Sequence, residues 1–194
     1  MFIRLLSRCQ QFCRQTNDVA KGVITNMSEI VDMCSRSKVL TLPFELNIDK
    51  WSTFSEDVKQ IISTDWKNIK FLNDDGTGIN DAITSVPDDS GGVYLFLLKP
   101  DVISNMHRYI MYIGRAQRKR NFSLRKRCVS YLKDTRPLVA LIRELWGKQL
   151  YFFYLPIEND DIICKVEEEL VRVIIPPCNS QIPYHYCDPD QPLF

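Results

Sequence analysis

The stretch GGVYLFLLKPDVISNMHRYIMYIGR, residues 91–115, contains two segments rich in β-branched and aromatic residues. Residues 93–99 and 109–113 are typical of β-strands, and the connection between them is short enough for antiparallel pairing. Residues 87–92, with one proline and two glycines, form a turn-rich loop and the clearest boundary in the chain. The sequence therefore predicts a β-hairpin that opens a separate domain.

After this hairpin the pattern alternates between helical and β signals. Residues 124–132 and 137–146 predict helices, and Pro137 suits the first position of the second one. Residues 150–155 predict a third strand, and residues 160–174 a long helix with acidic residues in its first turn. The order β-β-α-α-β-α predicts an α+β, sandwich-like domain over residues 91–182, with a small three-stranded antiparallel sheet flanked by helices.

The remaining segments predict a mostly helical N-terminal extension over residues 1–90 and a tail over residues 183–194. Apolar residues at near-helical spacing predict a helix over residues 54–69. The first 26 residues are basic and amphipathic, which fits a helix docked on the surface or a mitochondrial presequence. Met27 is an alternative start. We expect the extension to help select the substrate.

Composition excludes several classes of protein. The hydrophobic fraction is 45% and the charged fraction 25%, as in ordinary globular proteins. The longest apolar run is far shorter than the ~20 residues of a membrane span. Seven cysteines in a chain of 194 residues suggest free thiols in a reducing compartment. We therefore expect a cytoplasmic protein without a membrane partner.

Charge is unevenly distributed along the chain. Residues 1–90 carry 10 lysines and arginines against 13 acidic residues, although the net charge of the whole chain is +1. Residues 115–136 carry nine basic residues and one acidic residue, Asp134. Such density favours contact with a nucleic-acid backbone, and the alternative is a solvated surface.

Three polar residues fall on helix faces that the pattern predicts to be apolar. Arg127 and Tyr131 share the apolar face of the helix at 124–132, and Glu167 lies in the apolar stripe between Ile163 and Leu170. A buried carboxylate needs a cationic partner or a metal. A structural Arg127–Glu167 salt bridge, a glutamate at the edge of the stripe and a functional site all remain possible at this point.

Five short elements, in this order, resemble the GIY-YIG nuclease superfamily. They are Gly92-Val93-Tyr94; Tyr112-Ile113-Gly114; Leu124-Arg125-Lys126-Arg127 with Tyr131; Glu167-x-x-Leu170-Val171; and Pro176-Pro177-Cys178-Asn179. The resemblance covers residues 91–182, nearly half of the chain. Arg115 departs from the pattern, since relatives often carry a lysine there.

The resemblance implies a metal-dependent endonuclease that hydrolyses phosphodiester bonds. Glu167 is then the ligand of one Mg²⁺ (or Mn²⁺), an ion that takes most of its other ligands from water and phosphate. Arg127 would contact the scissile phosphate. Tyr94 would be the general base, which requires positive charge nearby because a free phenol has a pKa of about 10.

The resemblance also implies roles for three further residues. Tyr112 would orient the attacking water or bond the phosphate, and Tyr131 would contact phosphate beside Arg127. Asn179 would fasten the end of the glutamate helix to the site.

DNA is the expected partner, and the compact chain is closest to restriction- or defence-type members of the superfamily. The residues expected to bind nucleic acid are Arg115, Arg118, Lys119, Arg120, Arg125, Lys126 and Lys133. A homodimer is compatible with symmetric cutting of two strands. The alternatives are a nucleic-acid-binding module with an inactive site, an RNA-directed nuclease, and a fold whose basic face binds an acidic protein.

Overall fold

The computed structural model describes residue 42 and residues 44–104, 106–118 and 122–179. The protein forms two compact units, Met1–Pro43 and Phe44–Phe194. Every helix and strand described below belongs to the second unit. The predictions for the first 26 residues and for the tail at 183–194 lie outside the described residues. None of the described helices is long and apolar enough to cross a membrane.

Four antiparallel strands form one sheet in the order β1-β4-β2-β3. They are β1 (Lys67–Lys70), β2 (Gly92–Leu98), β3 (Tyr109–Ala116) and β4 (Leu150–Pro156). The α+β class and the hairpin of β2 and β3 are confirmed. The prediction of three strands is wrong, because β1 adds a fourth strand beside β4.

The missed strand lies inside the helix that was predicted over residues 54–69. Helix α1 covers only Glu56–Ile62, and the chain then turns before β1 begins at Lys67. Ile69 is buried because it lies on the sheet opposite Phe152, and its helical spacing from α1 is coincidental. The other three residues of β1 are Lys, Asn and Lys, so an outer strand of this kind carries almost no hydrophobic signal.

The later helices follow their start and stop signals closely. Helix α2 spans Leu124–Ser130 and continues as a short 3-10 turn over Tyr131–Lys133. Helices α3 (Pro137–Trp146) and α4 (Asp160–Ile174) have the predicted bounds. Asn159 caps α4 by accepting hydrogen bonds from two amides of its first turn, and Ile175 leaves the helix in a left-handed conformation before Pro176.

The sheet has an aliphatic face and an aromatic face. Val93 and Leu95 point to the aliphatic face, where they pack against Ile163 and Val166 of α4 in a core that also contacts α1. The alternate residues of β2 point to the aromatic face, which α2 covers. Helices thus cover both faces of the sheet, α4 the aliphatic face and α2 the aromatic face.

Rings from three strands and the 3-10 turn after α2 fill the aromatic face. Tyr94, Phe96, Tyr112, Tyr131 and Phe152 lie with neighbouring centroids 4.8–6.5 Å apart, in tilted, stacked and edge-to-face arrangements. Such pairs add about 0.5–1.5 kcal/mol each to the burial of their area. The packed rings determine the positions of the hydroxyl groups of Tyr94, Tyr112 and Tyr131.

Polar contacts fasten α4 to the segment before and within α1. Three side chains on one face of α4 each bond a residue of this segment. The pairs are Lys165 with Asp57, Glu169 with the amide and hydroxyl of Ser55, and Arg172 with Thr53. They fix the outer side of the helix that carries Glu167.

Candidate active site

Two of the sequence-predicted tyrosines meet inside the aromatic face. The hydroxyl oxygens of Tyr94 and Tyr131 lie 2.8 Å apart and share a hydrogen bond. Both side chains are buried, at 1% and 2% exposure. Tyr94 also stacks on Phe152 at 5.2 Å between centroids, so neither its ring nor its hydroxyl is free to move.

Gly114 makes room for the Tyr94 hydroxyl. The two residues face each other across β2 and β3. A Cβ at position 114 would lie 2.5 Å from the Tyr94 hydroxyl oxygen and 2.9 Å from the ring of Tyr112. The glycine of the second sequence element is therefore required by close packing between the two tyrosines.

Burial changes the acidity of the two enclosed tyrosines. Loss of solvent, together with the neighbouring Tyr131 and Tyr112, raises the pKa of Tyr94 well above its usual range. Loss of solvent likewise raises the pKa of Tyr131. These shifts weigh against the role of general base that the resemblance implies for Tyr94, since a base must lose its proton near neutral pH and reach the water.

Tyr112 is the half-buried member of the three tyrosines. Its hydroxyl oxygen accepts a hydrogen bond from Nη1 of Arg136 at 3.1 Å, and that guanidinium lies 5.0 Å from its ring centroid. Asp134 holds the same guanidinium at 2.7 Å and raises the pKa of Arg136 above its ordinary value. Arg136 belongs to the basic segment 115–136, but neither its spacing nor the resemblance indicates a place for it in the site.

Glu167 reaches the opposite side of β3. Its Oε2 lies 3.1 Å from Nη1 of Arg115, and Oε1 of the neighbouring Glu168 lies 3.4 Å from the same nitrogen. The partner of Glu167 is thus Arg115, and the alternative of an Arg127–Glu167 bridge is wrong. The Glu167 side chain keeps 19% of its surface exposed, so the pair lies at the rim of the fold and not in the core.

The carboxyl of Glu167 is held in an unfavourable environment for its charge. Desolvation raises the pKa of Glu167 above its usual range, Arg115 partly opposes the shift, and Glu168 adds to it. The folded protein therefore binds this proton more tightly than the unfolded chain does. The carboxylate therefore costs stability as the pH rises from the pKa of the unfolded chain through the raised pKa of the folded protein.

Arg127 approaches the same residue of β3 from the aromatic side. Its Nε donates to the carbonyl oxygen of Arg115 at 3.4 Å, a long hydrogen bond. Its guanidinium carbon lies 4.6 Å from the ring centroid of Phe122, an exposed aromatic residue. Arg115 thus bonds Glu167 through its side chain and Arg127 through its backbone.

Asn179 bonds one residue on the outer edge of β3. Its Oδ1 accepts from the amide of Ile113 at 2.9 Å, and its Nδ2 donates to the carbonyl of the same residue at 2.8 Å. Cys178 adds a backbone hydrogen bond to Met111. These contacts join the segment after α4 to the strand that carries Tyr112 and Arg115.

The basic residues of segment 115–136 have different surroundings. Arg118, Lys126 and Lys133 are exposed. Arg125 instead donates to the carbonyls of Val86 and Thr84 at 2.8 Å each, so it ties α2 to the preceding loop. Lys119 and Arg120 lie outside the described residues.

The residues present are compatible with one hard divalent cation. In the described ranges no group of three or more His, Cys, Asp and Glu side chains is close enough to hold a metal. Glu167 has its second carboxylate oxygen without a hydrogen-bond partner in this part of the chain. One such oxygen fits Mg²⁺, which commonly binds one or two carboxylates and completes its shell with water and phosphate.

We expect Gly114→Ala to destabilise the protein by at least about 1–3 kcal/mol, as overpacking of a tight site does. The added methyl must displace the Tyr94 hydroxyl from Tyr131. Gly78→Ala is the matched control, because its Cβ would meet only the side chain of Asn73 at 3.5 Å. Equal chemical denaturation midpoints for the two variants would contradict this packing argument.

Tyr94→Phe should lower the free energy of unfolding by about 1–3 kcal/mol, because it leaves the buried hydroxyl of Tyr131 without this partner. The measurement is urea denaturation followed by tryptophan fluorescence. An unchanged midpoint would show that the buried hydroxyl pair contributes nothing to stability.

No protein family, curated protein or solved structure matches the chain in the comparisons made.

Proposed function

We propose that the protein is a metal-dependent endonuclease that hydrolyses phosphodiester bonds in DNA, with its active site at the free edge of β3. The observation that carries the proposal is the position of Arg115 between an acidic and a basic group. Its side chain bonds the carboxylate of Glu167, and its carbonyl accepts from the guanidinium of Arg127. Tyr112 lies on the same strand, three residues earlier. A carboxylate, a cation and a reachable hydroxyl are the groups that this hydrolysis needs.

In this proposal Glu167 would hold Mg²⁺ or Mn²⁺, and the ion would supply positive charge at the phosphate and a more acidic water. The pair with Arg115 keeps the carboxylate in place before the ion binds. The Glu167 carboxylate is partly desolvated, so water compensates little of its negative charge. This adds to its attraction for a divalent cation.

Arg127 and Tyr112 act on the substrate itself. Arg127 presents a planar set of donors that matches two phosphate oxygens, and the ring of Phe122 restricts its orientation. Tyr112 takes the place that the resemblance implies for Tyr94, because its hydroxyl lies at the half-buried end of the tyrosine cluster. Tyr94 and Tyr131 then support Tyr112 from behind.

The reaction is an attack by water oxygen on phosphorus with cleavage of one P–O ester bond. One proton leaves the water, and one proton is taken up by the departing alkoxide. Tyr112 orients the water or carries its proton, and Arg127 binds the charge that grows on the phosphoryl oxygens. Asn179 keeps β3 in position by its two bonds to Ile113.

The exposed cations Arg118, Lys126 and Lys133 extend the surface that would follow the DNA backbone. Restriction or defence is the role we propose, and a homodimer fits symmetric cutting. A binding module with the same fold and an inactive site is the rival, and it differs from the proposal in a single measurable respect, cleavage.

Glu167→Gln should fold, bind DNA and fail to cleave it. The variant removes a carboxylate whose charge is disfavoured in the folded state, and Arg115 keeps about a third of its surface in water, so we expect little loss of melting temperature. A neutral amide is a poor ligand for Mg²⁺, so Mg²⁺-dependent cleavage should disappear.

The control is Glu168→Gln, which removes an exposed carboxylate from the same arginine at 3.4 Å. We expect it to retain cleavage and stability, since exposed pairs contribute about 0–1 kcal/mol. A large drop in melting temperature of Glu167→Gln together with retained cleavage would contradict the metal role.

Replacement of Arg118, Lys126 and Lys133 by Ala should weaken DNA binding and flatten its salt dependence. Each lost phosphate contact changes the log–log slope by about 0.9 on duplex DNA. Arg125→Ala should instead leave the slope unchanged and lower stability, because its guanidinium bonds two carbonyls of the protein. Fluorescence anisotropy over a salt series measures the slope; the reverse pattern would remove this surface from the interface.

A further inference from the structure

The turn between α2 and α3 supports Tyr112 through a fixed ion pair. Asp134 grips Arg136 with both carboxylate oxygens, at 3.1 Å from Nε to each oxygen and 2.7 Å from Nη2 to Oδ2. The other terminal nitrogen, Nη1, donates to the Tyr112 hydroxyl at 3.1 Å. Hydrogen bonds thus link the Asp134 carboxylate to the Arg136 guanidinium and the guanidinium to the Tyr112 phenol.

The turn itself is held from two sides. Asp134 Oδ1 accepts from the backbone amide of Arg136 at 2.9 Å, which closes the turn locally. Arg143 of α3 donates to the carbonyls of Tyr131 and Asp134 at 2.9 and 3.0 Å. Pro137 then begins α3. The position of the Arg136 guanidinium is therefore set before any ligand binds.

We propose that Arg136 is a positioning residue for phosphodiester hydrolysis and that it acts through the Tyr112 hydroxyl. This inference rests on the proposed function. A guanidinium only donates hydrogen bonds, so the Tyr112 oxygen accepts from it and must direct its own proton elsewhere. That fixes the direction in which the hydroxyl can bond a water or a phosphate oxygen. The guanidinium charge also lies beside the phenol oxygen of Tyr112, on which negative charge grows when the hydroxyl gives up its proton.

Its contacts distinguish Arg136 from the cations of the DNA-binding surface. Asp134 occupies Nε and Nη2 of the guanidinium and Tyr112 accepts from Nη1, so fewer donors are left for the phosphate backbone. Its guanidinium also lies over the rings of both Tyr112 and Tyr131, at 5.0 and 5.4 Å from their centroids. Both features orient Arg136 toward the tyrosine cluster. We therefore expect its loss to reduce kcat and to leave KM and the salt slope of DNA binding unchanged.

The test is a kinetic cycle of Arg136→Gln, Tyr112→Phe and the double variant, measured on a DNA substrate with Mg²⁺. We expect Tyr112→Phe to lower kcat by roughly 10²–10⁴, and Arg136→Gln by roughly 10² as for one preorganised donor. The double variant should be no slower than Tyr112→Phe, because Arg136 then has no hydroxyl to position. Arg108→Gln, in the connection before β3, is the exposed-arginine control and should match the wild type.

Arg136→Lys is the second variant, and it keeps the charge with little change in volume. A lysine cannot grip Asp134 with a planar fork and reach Tyr112 together, so kcat should fall between those of wild type and Arg136→Gln. Melting temperatures establish that each protein is folded. Should Arg136→Gln fail to fold, the cycle is run with Arg136→Lys, which should again have no effect beside Tyr112→Phe.

Two results would overturn the inference while leaving the nuclease intact. The first is a double variant whose loss of kcat equals the product of the losses in the two single variants. The second is a change of KM and of the salt slope in Arg136→Gln with kcat unchanged. Absence of cleavage by the wild-type protein would be a different result, since it overturns the proposed function and this inference together.

Discussion

The pairing register between β2 and β3 determines where the aromatic core and the polar residues of the candidate site lie. It places Tyr94 opposite Gly114 and Phe96 opposite Tyr112, so the tyrosine hydroxyls gather on one face. A slip of one residue would move every side chain of a strand to the other face of the sheet. Only a residue without a Cβ fits opposite Tyr94, and the close approach at Gly114 therefore favours this register over its neighbours.

The same register sends Tyr112 and Arg115 of β3 to opposite faces of the sheet. Tyr112 points to the aromatic face and Arg115 to the aliphatic face, where Glu167 bonds it. β3 is an outer strand, so its far edge is open to groups that come around it, and Asn179 and Arg127 bond its backbone.

The parts of the fold that the sequence could predict are those with strong local signals. Pro137 and Gly147 bound α3, and Asn159 and Pro176 bound α4, so both helices have their predicted ends. The strand β1 could not be predicted, because only Ile69 of its four residues is buried. Outer strands depend on backbone pairing with a distant segment, which single-sequence periodicity does not contain.

For the candidate site, the sequence predicts which residue types matter, but it does not predict where their side chains lie. Sequence pattern selected Arg127, Tyr131 and Glu167 as polar residues on apolar faces, and each lies at the rim or inside of the fold. It could not indicate which tyrosine hydroxyl is enclosed, because burial depends on the helix that covers the sheet. It could not separate Arg125 from Lys126 either, since a bond to the carbonyl of Val86 is a tertiary contact.

Incubation of the purified protein with supercoiled, linear and single-stranded DNA and with RNA, each with Mg²⁺ or with a chelator, is the most direct test of nuclease activity. We expect cutting of DNA that requires Mg²⁺ and stops in the chelator. Cutting of RNA alone would support phosphodiester hydrolysis but would identify RNA, and not DNA, as the substrate. Salt-sensitive DNA binding by a folded protein that cuts none of the four substrates would contradict the account and favour a binding module.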